Sequence, residues 1–227
     1  MNILFGKFGF KLMSCFGALA LMIVAPSASR ASVVFSNLGA GSSSNIDGNE
    51  VGNDRDGDNL AEGDTFTPGG NFTMTTLQLA LSCWGTCANT YTVELTNDAS
   101  GVPGTSILFS SVQLGTALAA PSTTSLVTIA TSAVSLVSGT SYWIVVLPDV
   151  GGTDEIQWNW NTTGDPSNLA TAFAGGGAGD TWFTLGGTPS AYEVDGTIVG
   201  TGTPEPGTLG LMLGGGLLIG LLRKVGR

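Results

Sequence analysis

Between Ser32 and Gly200 the chain alternates short runs rich in β-branched, aromatic and leucine residues with clusters of Gly, Pro, Asn and Asp, and no stretch repeats its apolar positions at helical spacing. The pattern predicts strands at 32–37, 64–67, 72–82, 90–97, 106–113, 125–130, 142–148, 155–160, 181–184 and 192–199. Leu77, Leu79 and Leu81 point to one side of their run and Thr76, Gln78 and Ala80 to the other, and Tyr91, Val93 and Leu95 answer them on the next strand. Tyr142 to Leu147 is apolar on both faces, which marks a central strand in the deepest part of the core. So many strands without helices predict an all-β body, a two-sheet β-sandwich of jelly-roll type over 32–200.

The two ends break this pattern. Residues 1–11 carry Lys7 and Lys11 and no acid, Leu12 to Ala25 is apolar, and Pro26 ends the run before Ser29-Arg30-Ala31 places small residues at −3 and −1. This is the layout of a secretory signal helix over 1–31, cut between Ala31 and Ser32. The alternative, an uncleaved anchor, asks for a run nearer the ~20 residues of a spanning helix. At the other end, Pro204-Glu205-Pro206 is followed by sixteen uncharged residues, Gly207 to Leu222, and then by Arg223-Lys224-Val225-Gly226-Arg227. A helix of that length is about 24 Å long, so it spans a ~30 Å hydrocarbon core only with thinning or flanking help. Its cations should remain on the cytoplasmic side, leaving the body outside.

The three parts of 201–227, with Pro204, Glu205, Pro206 and then the basic Arg223, Lys224 and Arg227 after the transmembrane helix, resemble the PEP-CTERM sorting signal. That resemblance implies exosortase, a membrane transpeptidase-like protease, as partner alongside the secretion machinery. It also implies placement in the envelope or exopolysaccharide matrix of a Gram-negative bacterium, after transient anchoring in the inner membrane by 207–222. Within the body, three segments resemble the choice-of-anchor R domain: Phe66-Thr67-Pro68-Gly69-Gly70-Asn71-Phe72-Thr73, Asn97-Asp98-Ala99-Ser100-Gly101-Val102-Pro103-Gly104, and Ser138-Gly139-Thr140-Ser141-Tyr142-Trp143. This second resemblance implies a fold and a location, and no reaction.

Charge and composition narrow the function further. Arg55 is the one cation between Ser32 and Thr203, against sixteen carboxylates, so the body repels phosphate backbones and nucleic acid is excluded as a partner. The chain has no histidine, which removes Ser-His-Asp and Cys-His catalysis and most catalytic zinc sites. The remaining enzymatic option is a glycosidase-type carboxylate pair, with Asp154, Glu155 or Asp180 as nominal members.

Five features remain. Cys83 and Cys87 flank Trp84-Gly85-Thr86 and predict a disulfide staple in an oxidising compartment; a redox site would favour Cys-x-x-Cys. Asp54, Asp56 and Asp58 alternate as in the opening of a calcium loop, with Glu62 and Asp64 as further ligands. The match weakens at Asn59, where glycine would make the turn, and at Thr65, where a bidentate glutamate would fall, so a solvated acidic loop is the simpler expectation and no cofactor other than calcium is implied. Trp158 and Trp160, with Trp182, read either as a buried face or as a platform on which sugar rings stack. The Asn-x-Thr triplets at Asn71 and Asn161 have the form of glycosylation acceptors and are read as chance, and Phe173 to Gly179 is read as a surface loop. The leading expectation is a non-enzymatic exported envelope or matrix protein; its rival is a calcium-dependent module that binds extracellular polysaccharide, and an enzyme comes third.

Overall fold

A computed structural model describes residues 31–53, 59–120, 123–149, 152–173 and 181–200. The signal segment, the sorting tail, Asp54, Asp56, Asp58 and Asp180 lie outside the described residues. What is described is built of strands joined by turns, with one short 3-10 turn at Gly115–Ala117. The strands are β1 Ser32–Ser36, β2 Gly48–Asn53, β3 Asn59–Phe66, β4 Phe72–Cys83, β5 Thr90–Asp98, β6 Pro103–Leu114, β7 Ser125–Leu136, β8 Tyr142–Pro148, β9 Glu155–Asn159, β10 Leu169–Ala172, β11 Trp182–Leu185 and β12 Tyr192–Ile198.

All pairings are antiparallel, and they run as one continuous path, β1-β12-β4-β9-β2-β3-β8-β5-β6, with β7 added on β4, β10 on β3 and β11 on β10. The path curls so that its two halves face one another around a shared core, a sandwich-like arrangement. Phe66 of β3 lies 5.9 Å from Phe35 of β1 and 6.4 Å from Tyr192 of β12, and the Tyr192 hydroxyl donates to the Thr65 carbonyl at 2.7 Å. The predicted alternation sets this core. Leu77, Leu79 and Leu81 of β4 and Tyr91, Val93 and Leu95 of β5 meet Ile144 and Val146 of β8 in one cluster. β8 is central as expected: β3 and β5 flank it, and Trp143 and Val145 on its other face form a second cluster with Ala170, against which Trp182 packs.

The three segments singled out in the body converge in space. Gly139 N–H donates to the Pro68 carbonyl at 3.0 Å, and Ser138 N–H donates to Asn71 Oδ1 at 2.9 Å. Asp98 Oδ1 accepts from Trp143 Nε1 at 2.8 Å and from Gly101 N–H at 3.1 Å. The turn after β5 is thereby tied to the central strand. Ser100 and Gly101 sit there at φ 62° and 90°, which suits a short polar residue followed by glycine.

The acidic segment departs most from expectation. Its flanks are strands, not loop: β2 pairs β9 across Gly48–Gly52, and β3 extends from Asn59 to Phe66, where only 64–67 is predicted. β10 is also absent from the prediction. The reason is that these strands draw their stability from ladder hydrogen bonds and from buried polar contacts, and hydropathy registers neither.

Candidate functional site

β3 places Glu62 and Asp64 in register with Val146 and Ile144 of β8, and Phe66 with Tyr142. Val146, Ile144 and Tyr142 belong to the main core, so both carboxyl groups point between the two halves of the sheet. Glu62 is 3% exposed and Asp64 0%. Asp64 Oδ2 accepts the Ser190 N–H at 2.8 Å, while Asp64 Oδ1 and Glu62 Oε2 are buried without a hydrogen-bond partner. The described residues contain no lysine or arginine, so none of them supplies a cation to the pair. Burial accordingly pushes Glu62 up to about 8, with neighbouring Asp64 adding to the push. Asp64 is held well above the usual carboxylate range, also by burial. The Thr171 hydroxyl beside Glu62 donates its proton to the Ala61 carbonyl at 3.1 Å. Its hydrogen bond with Glu62 works against that push, lowering the pKa, and is outweighed by burial.

Around Ser190 the network continues. Asn37 Nδ2 donates to the Ser190 carbonyl at 2.8 Å and to Asp165 Oδ2 at 3.3 Å, and Asn37 Oδ1 accepts from Tyr192 N–H at 2.7 Å. Asn49 Nδ2 donates to Ser190 Oγ at 2.9 Å and Asn49 Oδ1 accepts from Trp160 Nε1 at 2.9 Å. Burial holds the proton on both acids to higher pH than in a solvated carboxyl. Glu62 and Asp64 are thus buried rather than solvated, and Asp54, Asp56 and Asp58, the other members of the calcium set, lie outside the described residues. Among the described residues no three acidic or cysteine side chains converge on a metal-sized space.

The tryptophans separate. Trp158 is fully buried, packs at a tilt against Tyr192 with ring centres 5.8 Å apart and donates its Nε1–H to the Ala191 carbonyl at 3.1 Å, so it offers no face to a sugar ring. The stacking reading fails for this residue because Ile156 and Trp158 share the inward face of β9. Trp160 and Trp182 are half-buried, one tied to Asn49 and the other packed on the second cluster. The exposed indole is Trp84, which sequence reasoning treated only as part of a disulfide loop.

Cys83 and Cys87 are disulfide-bonded, as expected from their spacing. Asp154 takes the backbone N–H groups of Ala88 and Asn89 at 3.0 and 2.8 Å and Asn89 Nδ2 at 3.1 Å, so it fixes the turn after the disulfide. Both Asn-x-Thr amides are used within the fold. Asn71 Oδ1 accepts from Ser138, and buried Asn161 accepts from the Thr163 and Gly164 N–H groups and donates to the Pro189 carbonyl. No protein-family model matches the chain, and no curated protein is significantly similar to it.

Proposed function

We propose that the protein is a non-enzymatic, exported envelope or matrix protein, a jelly-roll-like β-sandwich sorted by exosortase through Pro204-Glu205-Pro206 and its basic tip. The observation that carries the reading is the Cys83–Cys87 disulfide, a cross-link that persists in oxidising compartments outside the cytoplasm. The charge distribution agrees with it. Lysine and arginine other than Arg55 are confined to the end segments, where they serve as topological signals, and the body between them is acidic.

The test is to change Pro204, Glu205 and Pro206 to alanine and follow the intact mass of the protein in envelope and medium. Export continues and C-terminal processing stops, because the apolar segment and the basic tip still arrest translocation. A variant processed and distributed like the wild type would overturn the sorting reading.

A further inference from the structure

From Ala99 to Pro148 the chain holds no charged residue. That stretch supplies β6, β7 and β8, and among the described residues β6 pairs only with β5 and β7 only with β4. The two strands lie near one another as the outermost strands of the facing halves, and Phe109 of β6 joins Ile129 and Val134 of β7 in the main core. One flank of the sandwich therefore ends in two uncharged strands of 12 residues each.

A free edge aims a row of backbone N–H and C=O groups at solvent, and folds commonly guard it with lysine, proline, an inward charge or a bulge. β6 is guarded at one end only: Pro103 opens it, and its register against β5 slips between Leu95 and Asp98. From Phe109 to Leu114 it runs in unbroken register with Thr90 to Leu95. Phe109 points into the core, so Val112 and Leu114 stand on the outer face, 65% and 63% exposed. Glu94 of β5 shares that face one strand in from the edge, where it accepts from Ser110 Oγ at 3.2 Å.

We propose that the β6 edge is an interface between two copies of this chain, joined by antiparallel β6–β6 pairing about a twofold axis. A strand is complementary to itself in that arrangement, because each copy gives and accepts the same backbone hydrogen bonds. Charge selects the occupant. The chain between Ser32 and Thr203 sets sixteen carboxylates against Arg55, so a second copy approaches with least repulsion where the strands carry no charge. A basic peptide, by contrast, finds no carboxylate on β6 to meet. Pairing also sets Val112 and Leu114 beside the outer-face residues of the other β6, which covers apolar surface that a single copy exposes. This inference stands on the body of the protein alone and is independent of how the tail is sorted.

The test uses the exported protein with its disulfide intact, in sedimentation velocity over a concentration series with amide hydrogen exchange beside it. A monomer–dimer equilibrium is observed. Added sodium chloride strengthens it, since screening relieves repulsion between acidic bodies and the paired strands hold no ion pair to weaken. Exchange slows with protein concentration at alternate amides of Phe109 to Leu114, those directed away from β5. Val112→Asp and Leu114→Asp alter exposed side chains and leave the Tm at the wild-type value. Each raises the concentration for half-association by about tenfold or more, as like charges meet across the new strand pair. Val33→Asp, at a 55% exposed position on β1 at the far end of the strand path, leaves association unchanged. The proposal is overturned if the protein is monomeric at every concentration, as it would be were the edge kept for a different partner, or if salt dissociates the dimer. It is also overturned if both β6 variants associate like the wild type or if Val33→Asp weakens association as much as they do, which would assign the contact to the tail or to another surface.

Discussion

Replacing Glu62 with glutamine tests the buried acids directly, because the amide keeps the shape of the protonated carboxyl and cannot ionise. In the unfolded chain Glu62 titrates near 4.5, and in the fold it is pushed up to about 8. Between those values the unfolded state has lost a proton that the native state retains, so stability falls as pH rises, by about 1.4 kcal/mol per pH unit. Over the whole window the loss is about 5 kcal/mol, a third or more of the ~5–15 kcal/mol stability of an ordinary domain. Asp64, raised in the same direction by burial, adds to the slope. Urea unfolding of wild type and Glu62→Gln at pH 5, 6.5, 8 and 9 reads this out. The two proteins differ little at pH 5. The variant becomes the more stable one by several kcal/mol at pH 8, on the order of the window above, and its stability falls less steeply with pH. Acids on the surface repel one another in both proteins alike, so the difference isolates position 62. Equal pH slopes in the two proteins, or a variant that loses ground as pH rises, would show that Glu62 is ionised in the fold and refute the argument.

Asp98→Ala removes the acceptor for both Trp143 Nε1 and Gly101 N–H; with a buried indole N–H left unpaired, unfolding free energy drops by about 2–3 kcal/mol in urea titration, whereas a change within experimental error would mean water substitutes for the carboxylate. Cys83 and Cys87 close a loop with a sequence separation of 4; the exported, unreduced protein therefore contains no free thiol by labelling, and reduction costs no more than about 3 kcal/mol, the value expected for a 15-residue loop. The calcium reading of Asp54, Asp56 and Asp58 requires millimolar calcium to raise the Tm and the triple change to asparagine to abolish the rise; an equal rise in sodium chloride of matched ionic strength would leave only screening.

The strands legible in the sequence are those whose inward positions are apolar. β4, β5 and β12 alternate Leu77, Leu79 and Leu81, then Tyr91, Val93 and Leu95, then Tyr192 and Val194, and each of these residues lies in the main core. β9 was legible by the same logic, since Ile156 and Trp158 share its inward phase, and the platform alternative for Trp158 needed the opposite face. β3 was not legible, because Glu62 and Asp64 hold inward positions ahead of Phe66, and a hydropathy reading assigns such residues to solvent. β2 sends Val51 inward as its contribution to the main core, and its Gly48, Asn49 and Gly52 read as turn residues. β10 is four buried residues long, too short for its alternation to be distinguished from a loop.

The two groups of acids also obey opposite electrostatics on a single strand pair. Glu50 of β2 is exposed to solvent, where a charge is cheap to maintain, while Glu62 and Asp64 of β3 face the core, where retaining the proton is the less costly state. A strand shifted by one residue would turn Glu62 and Asp64 to the opposite face, against the second cluster of Trp143, Val145 and Ala170. The apolar residue Phe66 shares their face, and its contacts with Phe35, Tyr142 and Tyr192 are lost in that shift. Phe66 thus fixes the register that buries the acids, and burial keeps their carboxyls protonated, only partly offset by the Ser190 N–H bond to Asp64 and the Thr171 hydroxyl beside Glu62, which favour the ionised form.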